Sequence, residues 1–334
     1  LVSNMSPLLS LMEETELCFP QLNTSCVKPK RPLSDTVLIY MILSFISLLT
    51  AALNLMLLSF LSRQLHTPTN SLILSLAVSD FFVGFILLFQ SMFIDSCWYI
   101  GDLMCAVYYG LDYIVCYSSV GNMVLISIDR YVAICDPLHY SIRVTQKRVQ
   151  VCVCLCWIWS LFCFIVFLKD NLKQPGQYNS CVGECVIMVT LSEQVVGFFI
   201  YLFLPITVIV VLYMRVFVVA VSQARAMRSH ITTVTVQGSV KVTAKKFELK
   251  AARTLGVVVV VFIICFCPYY CVSLAYQETL FNASSAAFVI CLYYFNSCLN
   301  PLIYAFFYPW FRKCTKVIVT LQILKSDSSD TNIL

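Results

Sequence analysis

Val37-Leu-Ile-Tyr-Met-Ile-Leu-Ser-Phe-Ile-Ser-Leu-Leu-Thr-Ala-Ala-Leu-Asn-Leu-Met-Leu-Leu-Ser-Phe-Leu61 contains no charged residue. Coiled as a helix it is roughly 37 Å long, enough to cross about 30 Å of hydrocarbon. A core helix of a soluble protein needs a polar face for water, and this stretch has none. Six further apolar stretches follow, near 71–94, 104–128, 149–168, 194–214, 254–276 and 286–308. None shows the ten-residue alternation of a membrane barrel. The expected fold is therefore an all-α membrane protein, a seven-transmembrane helix bundle.

Composition agrees. Only 12% of the 334 residues are charged and 60% are apolar, with a mean hydropathy of +0.85. A soluble domain carries about 25% charged residues. A cytosolic enzyme and a nucleic-acid-binding module are excluded on that ground. The net charge of +5 matters less than where the charges lie. Lys28, Lys30, Arg31, Lys169 and Lys173 fall on one side of the spans, and the other seventeen Lys and Arg fall on the opposite side. Positive charge accumulates on the cytoplasmic face, so the N-terminus is expected outside and the C-terminus inside a multi-pass plasma-membrane protein. The sequons at Asn4, Asn23 and Asn282 lie on the side assigned to the exterior and are candidate glycosylation sites. No charged-then-apolar leader precedes the first span, which is expected to act as the insertion signal.

The expected organisation is an extracellular segment 1–36, a bundle 37–308, an amphipathic juxtamembrane helix 309–320 and a cytoplasmic tail 321–334. In the third of these, Trp310, Phe311 and Val317 oppose Arg312, Lys313 and Lys316, a pattern suited to the inner leaflet. Cys314 within it is a candidate for palmitoylation, or an idle thiol.

Two acids fall inside predicted spans. A carboxylate there costs at least about 2.5 kcal/mol, so each needs a reason. Asp112 lies about 10 Å below Cys105 and about 27 Å above Arg130 along one helix. That depth suits a cavity open to the outside, and no Lys or Arg on a neighbouring span stands near its level. A cation entering from outside would complete it. Tyr113, Cys116, Phe266, Tyr269, Tyr270 and Tyr294 are the expected surroundings, with Glu193 at the rim. An ammonium paired to a carboxylate among aromatic faces is the physical recipe for amine recognition. The competing reading makes Asp112 structural, protonated or bonded to a hydroxyl such as that of Tyr294. Asp80, with Ser119, Asn296 and Asn300, forms a second polar cluster. It reads equally as a hydrogen-bonded network or as the cage of a structural sodium ion, and no other cofactor is called for.

These motifs resemble the rhodopsin-like (class A) G-protein-coupled receptors over nearly the whole chain. Asn54, Leu76-Ala-Val-Ser-Asp80, Asp129-Arg130-Tyr131, Trp157, Pro205, Phe266-Cys-Pro-Tyr269 and Asn300-Pro-Leu-Ile-Tyr304 appear in order on the expected spans. More narrowly, the chain resembles the trace amine-associated receptors. Gln64-Leu-His-Thr-Pro-Thr-Asn70, Ser96-Cys-Trp-Tyr-Ile-Gly-Asp102, Lys250-Ala-Ala-Arg-Thr-Leu-Gly256 and Tyr304-Ala-Phe-Phe-Tyr-Pro-Trp-Phe-Arg-Lys313 carry that resemblance, and the tail Asp327-Ser-Ser-Asp-Thr-Asn332 fits it.

The resemblance implies a receptor for a small extracellular amine with Asp112 as counter-ion. It also implies olfactory chemosensation and a heterotrimeric G protein of the Gs type raising cAMP. Asp129, Arg130, Tyr131, Glu248 and Tyr304 would be the activation and coupling residues, the arginine being held at rest by the acids. It implies a disulfide from Cys105 to the second extracellular loop, with Cys185 preferred and Cys181 joined to Cys18 or Cys26. Two departures stand out. Phe266 occupies the usual tryptophan position. Gly197 replaces the second acid of some relatives, leaving Glu193 as an option for diamines.

Alternatives remain within reach of the sequence. A class A receptor for a peptide or lipid shares the fold. A secondary transporter would show duplicated halves, and none appears. A retinal photoreceptor needs a lysine in span seven, and none lies between Phe288 and Tyr308. His66, His139 and His230 are all on the basic side, away from any intramembrane metal or enzyme site.

Overall fold

The computed structural model describes residues 16–61, 67–231, 257, 260–272 and 283–307. Ten helices are present among them: α1 Leu33–Leu61, α2 Pro68–Leu87, α3 Gln90–Ile94, α4 Asp102–Cys135, α5 Tyr140–Arg143, α6 Gln146–Lys173, α7 Leu191–Phe198, α8 Leu204–Ile231, α9 Val260–Val272 and α10 Ala283–Phe307. A π turn, Phe199–Phe203, joins α7 to α8 into one rod. Span two, expected as one helix to residue 94, divides after Leu87, where Leu88 and Phe89 bond three residues back instead of four. The third, fourth and fifth spans run past the hydrocarbon limits read from the sequence. The expected helix 309–320, Glu248, Asn4 and Asn282 lie outside the described residues.

α4 is the central post, packed against α2, α6 and α8, while α1 packs on α2 and α10. Burial follows that placement. α2 buries Leu72, Ile73, Leu76, Val83, Ile86 and Leu87 against its neighbours, whereas α1 exposes Met41, Phe45 and Leu48 at 63–66%. An apolar belt of that kind has the bilayer as its solvent.

Prolines decide local geometry. Pro205 has no N–H and its ring crowds the carbonyl one turn earlier. The preceding turn widens, and Leu204 N bonds Phe199 O, five residues back. Pro301 inside α10 likewise cannot donate to Ser297 O, and the side-chain Nδ2 of Asn54 on α1 donates to it at 3.1 Å. A helix-breaking residue is tolerated because another helix supplies the missing donor.

At the end carrying Cys105, the chain from Glu16 to Val27 folds into a small hairpin. Cys18 N donates to Cys26 O, and Lys28 N donates to Glu16 O. Thr24 O and Cys26 N pair with Val182 across the loop before α7. Three disulfides tie this cap: Cys105–Cys185, Cys26–Cys181 and Cys18–Cys97. Cys181 thus takes Cys26, the second of its two expected partners. Cys18 is corrected to Cys97, because the hairpin places Cys18 and Cys26 side by side and each reaches a different loop.

α1 and α2 meet most closely at Gly84. A Cβ there would lie 2.9 Å from Ala51 N and 3.2 Å from Ser47 O, and Ser47 Oγ donates to Gly84 O at 2.6 Å. Gly84→Ala must push the two backbones apart, a loss of about 1–3 kcal/mol. A lower melting temperature of the purified receptor in detergent is the expected outcome, and an unchanged one would refute the close contact.

Candidate functional site

Asp112 stands two turns below the Cys105–Cys185 disulfide on α4 and borders a cavity of about 240 Å³. Tyr109, Tyr113 and Tyr117, four residues apart, present one face of α4 to it beside Asp112 and Cys116. Tyr269 and Tyr270 of α9 and Tyr293 of α10 form the opposite side. Phe167, Gln194 and Gly197 line it from α6 and α7, and Ile187 and Val189 of the preceding loop reach it because Cys185 pins that loop to α4. Two acids, Asp112 and Glu193, border the cavity, and no Lys, Arg or His does so among the described residues.

Asp112 Oδ1 accepts hydrogen bonds from Tyr294 Oη at 3.0 Å and Cys116 Sγ at 3.5 Å. Both donors are neutral. Among the described residues no cation pairs with Asp112, its Oδ2 takes no hydrogen bond, and the residue is only half-buried. The hydroxyl contact foreseen as the structural reading is therefore present, yet it engages only one oxygen of a residue that borders the cavity.

Glu193 is partly committed elsewhere. Its Oε2 accepts from Thr190 N and Oγ1, both at 2.8 Å, while Thr190 Oγ1 accepts from Glu193 N: a capping box that starts α7. Phe266, expected among the ligand contacts, lies one layer deeper. It is buried, its ring stacked on Phe262 at 4.5 Å and edge-on to Tyr293 at 4.8 Å. Tyr294 is also off the lining and acts through its hydroxyl. The sequence reading missed Tyr109 and Tyr117, although their four-residue spacing with Tyr113 was legible. It had no signal for Phe167, Ile187 or Val189, which are brought in from elements remote along the chain.

Two turns deeper, Asp80 is fully buried. Ser119 Oγ donates to Oδ1 at 3.1 Å and Asn300 Nδ2 to Oδ2 at 2.8 Å. Asn300 Oδ1 and both amide atoms of Asn296 are buried without hydrogen-bond partners in the same part of the bundle. Orphaned polar atoms in a low-dielectric interior call for water or an ion.

At the basic end, Asp129 is a junction. Arg130 donates to its Oδ2 from Nε at 3.0 Å and Nη2 at 2.6 Å, Thr69 Oγ1 donates to the same oxygen at 3.0 Å, and Tyr140 Oη donates to Oδ1 at 2.8 Å. Arg130 also touches Thr69. Burial raises Tyr140 above its ordinary pKa, which keeps its hydroxyl a donor. Tyr140 belongs to the short α5, whose start is held by Asp136. The hydrogen bond from His139 lowers the Asp136 carboxyl, and Arg143 adds an ion pair at 3.2 Å. Tyr131 follows on α4, half-buried, and Tyr304 lies in α10.

A helical bundle with an acid in an aromatic cavity at one end and an arginine held by an acid at the other defines a class. Residues 51–304 match the 7 transmembrane receptor (rhodopsin family), and the chain belongs to it: a G-protein-coupled receptor, not an enzyme. The chain is 38% identical to trace amine-associated receptor 8a of Rattus norvegicus over 332 residues, covering 95% of this chain and 96% of the relative. It is 38% identical to trace amine-associated receptor 6 of Homo sapiens over 341 residues, 98% and 99% of the two chains. With trace amine-associated receptor 4 of Mus musculus the identity is 36% over 333 residues, 96% of each. Within the rhodopsin family, it is a member of the trace amine-associated receptors.

Proposed function

We propose that this receptor binds a small extracellular amine in the cavity at Asp112 and signals through a Gs-type protein to cAMP, in the plasma membrane with its N-terminus outside. The observation that carries the reading is a carboxyl group with only neutral donors on one oxygen, facing an aromatic cavity without a cation of its own. An ammonium would pair with Oδ2 while Tyr294 and Cys116 hold Oδ1 in place. The rings of Tyr109, Tyr113 and Tyr269 would turn their negative faces toward its charge. Exposed Asn23 in the hairpin turn suits a glycan on that outer side. Olfactory chemosensation is the role proposed from the family.

Asp112→Asn keeps the acceptor for Tyr294 and removes the charge. Losing one partner of a desolvated ion pair is worth about 2–5 kcal/mol. Amine potency in a cAMP reporter assay should fall by about thirtyfold or more at normal surface expression. Full amine responses from that variant would end the proposal.

At rest, Asp129 holds Arg130, and outward movement of the α9 span would free it for the G protein. Tyr140→Phe removes one donor from that junction. Agonist-free cAMP is expected to rise by about tenfold or more, the yield of one charge-assisted hydrogen bond. Basal signalling at the wild-type level would remove Tyr140 from the latch.

The Asp80 cluster fits a sodium ion, since Asp80, Ser119, Asn296 and Asn300 offer hard oxygen atoms and some of these are unpartnered. A bound ion would neutralise the acid and favour the resting bundle. Replacing sodium by N-methylglucamine should raise amine potency in membranes of the wild type and change nothing for Asp80→Asn. Equal potency in both salts for the wild type would leave a plain hydrogen-bonded network.

A further inference from the structure

Beyond the amine pairing, the cavity has an end wall. Tyr117 of α4 lines the cavity, and directly behind it lies Tyr201 of the π turn, its ring parallel to Tyr117 within 3° at 3.4 Å between centroids. Tyr201 is 4% exposed, and its hydroxyl makes no hydrogen bond of normal geometry as it lies against the Cys163 thiol of α6. Gly197, one turn before it, contributes no side chain. A Cβ built there meets nothing nearer than Tyr201 Cδ2 at 4.0 Å. The wall between α4 and α7–α8 is thus two stacked rings, and the second, Tyr201, packs edge-on at 6.4 Å against Phe167 of α6, which itself lines the cavity.

A face-to-face sandwich is not the arrangement aromatic quadrupoles prefer. The pair is held by its surroundings. Tyr113 presses edge-on against Tyr117 at 5.1 Å, and the π turn imposed by Pro205 swings Tyr201 toward α4. From Asp112 to Tyr117 the helix descends only about 7.5 Å. A cavity of about 240 Å³ is below the span of roughly 300–1,000 Å³ found for drug-sized ligands.

We propose that the stacked pair Tyr117–Tyr201 sets the maximum length of the ligand, restricting the receptor to short amines. The proposal rests on the amine reading above and adds its size class. The ammonium is fixed at Asp112, the tail points to Tyr117, and every methylene beyond the wall must displace a packed ring. Without the Tyr201 ring, Tyr117 can tip into the vacated space beside Cys163, and the cavity lengthens toward α6.

The test is a straight-chain series from propylamine to decylamine on surface-tagged receptors with a cAMP readout. Wild-type potency should rise over the short members and then fall. Tyr201→Ala should move the optimum at least two carbons longer, each added methylene gaining about fourfold in potency. Gly197→Val should move the optimum shorter, because its side chain enters the cavity without meeting backbone. Tyr201→Phe keeps the stack and should keep the wild-type optimum. If Tyr201→Ala does not reach the surface, Gly197→Val and Tyr201→Leu carry the test. An optimum that ignores the substitutions at normal expression overturns the wall, as does a wild type silent to the whole series. A series that still acts on Asp112→Asn instead removes the amine reading itself.

Discussion

Inside hydrocarbon every carboxyl group must find donors or a cation, and α4 is where this receptor meets that constraint three times. Asp129 near its basic end is answered by a guanidinium and two hydroxyls. Asp80, facing α4 from α2, is answered by Ser119 and Asn300, with unpartnered amide oxygen left over. Asp112 near the other end receives only a phenol and a thiol on one oxygen. The completeness of the answer changes along the helix, and the proposed roles follow it: a latch at the closed junction, a small ion at the half-closed one and a charged ligand at the open one.

The backbone obeys the same rule. Pro301 and Pro205 each remove a donor that a helix in lipid cannot leave unreplaced. Asn54 repairs the first by reaching from α1 to α10, which locks the helix carrying Asn300 and Tyr294 to the rest of the bundle. The π turn accommodates the second by widening the helix just before Pro205, and Tyr201 within that turn stacks on Tyr117. The cavity beside Asp112 therefore takes part of its shape from proline chemistry some distance from that acid.

The end of the cavity nearest Cys105 is set by sulfur. Cys105–Cys185 draws Ile187 and Val189 over the cavity, while the hairpin carrying Cys18 and Cys26 is bolted to two different loops. Those bonds hold the lining loop in one conformation before a ligand arrives, so little ordering entropy is left to lose on binding.

The seven spans, the acid within the third of them and the Asp-Arg pair were legible along the chain, because hydrocarbon length, charge and helical spacing are local properties. Tyr109 and Tyr117 are legible too, through their four-residue spacing from Tyr113. Other features depend on which surfaces meet. Tertiary packing alone moved Phe266 behind Tyr293, chose Cys26 over Cys18 for Cys181 and gave Cys18 to Cys97, brought Phe167 and Val189 to the cavity, and set Tyr201 behind Tyr117. In each case residues far apart in the chain became neighbours only once the helices had packed and the loops had closed, and no spacing rule along one helix encodes such a contact.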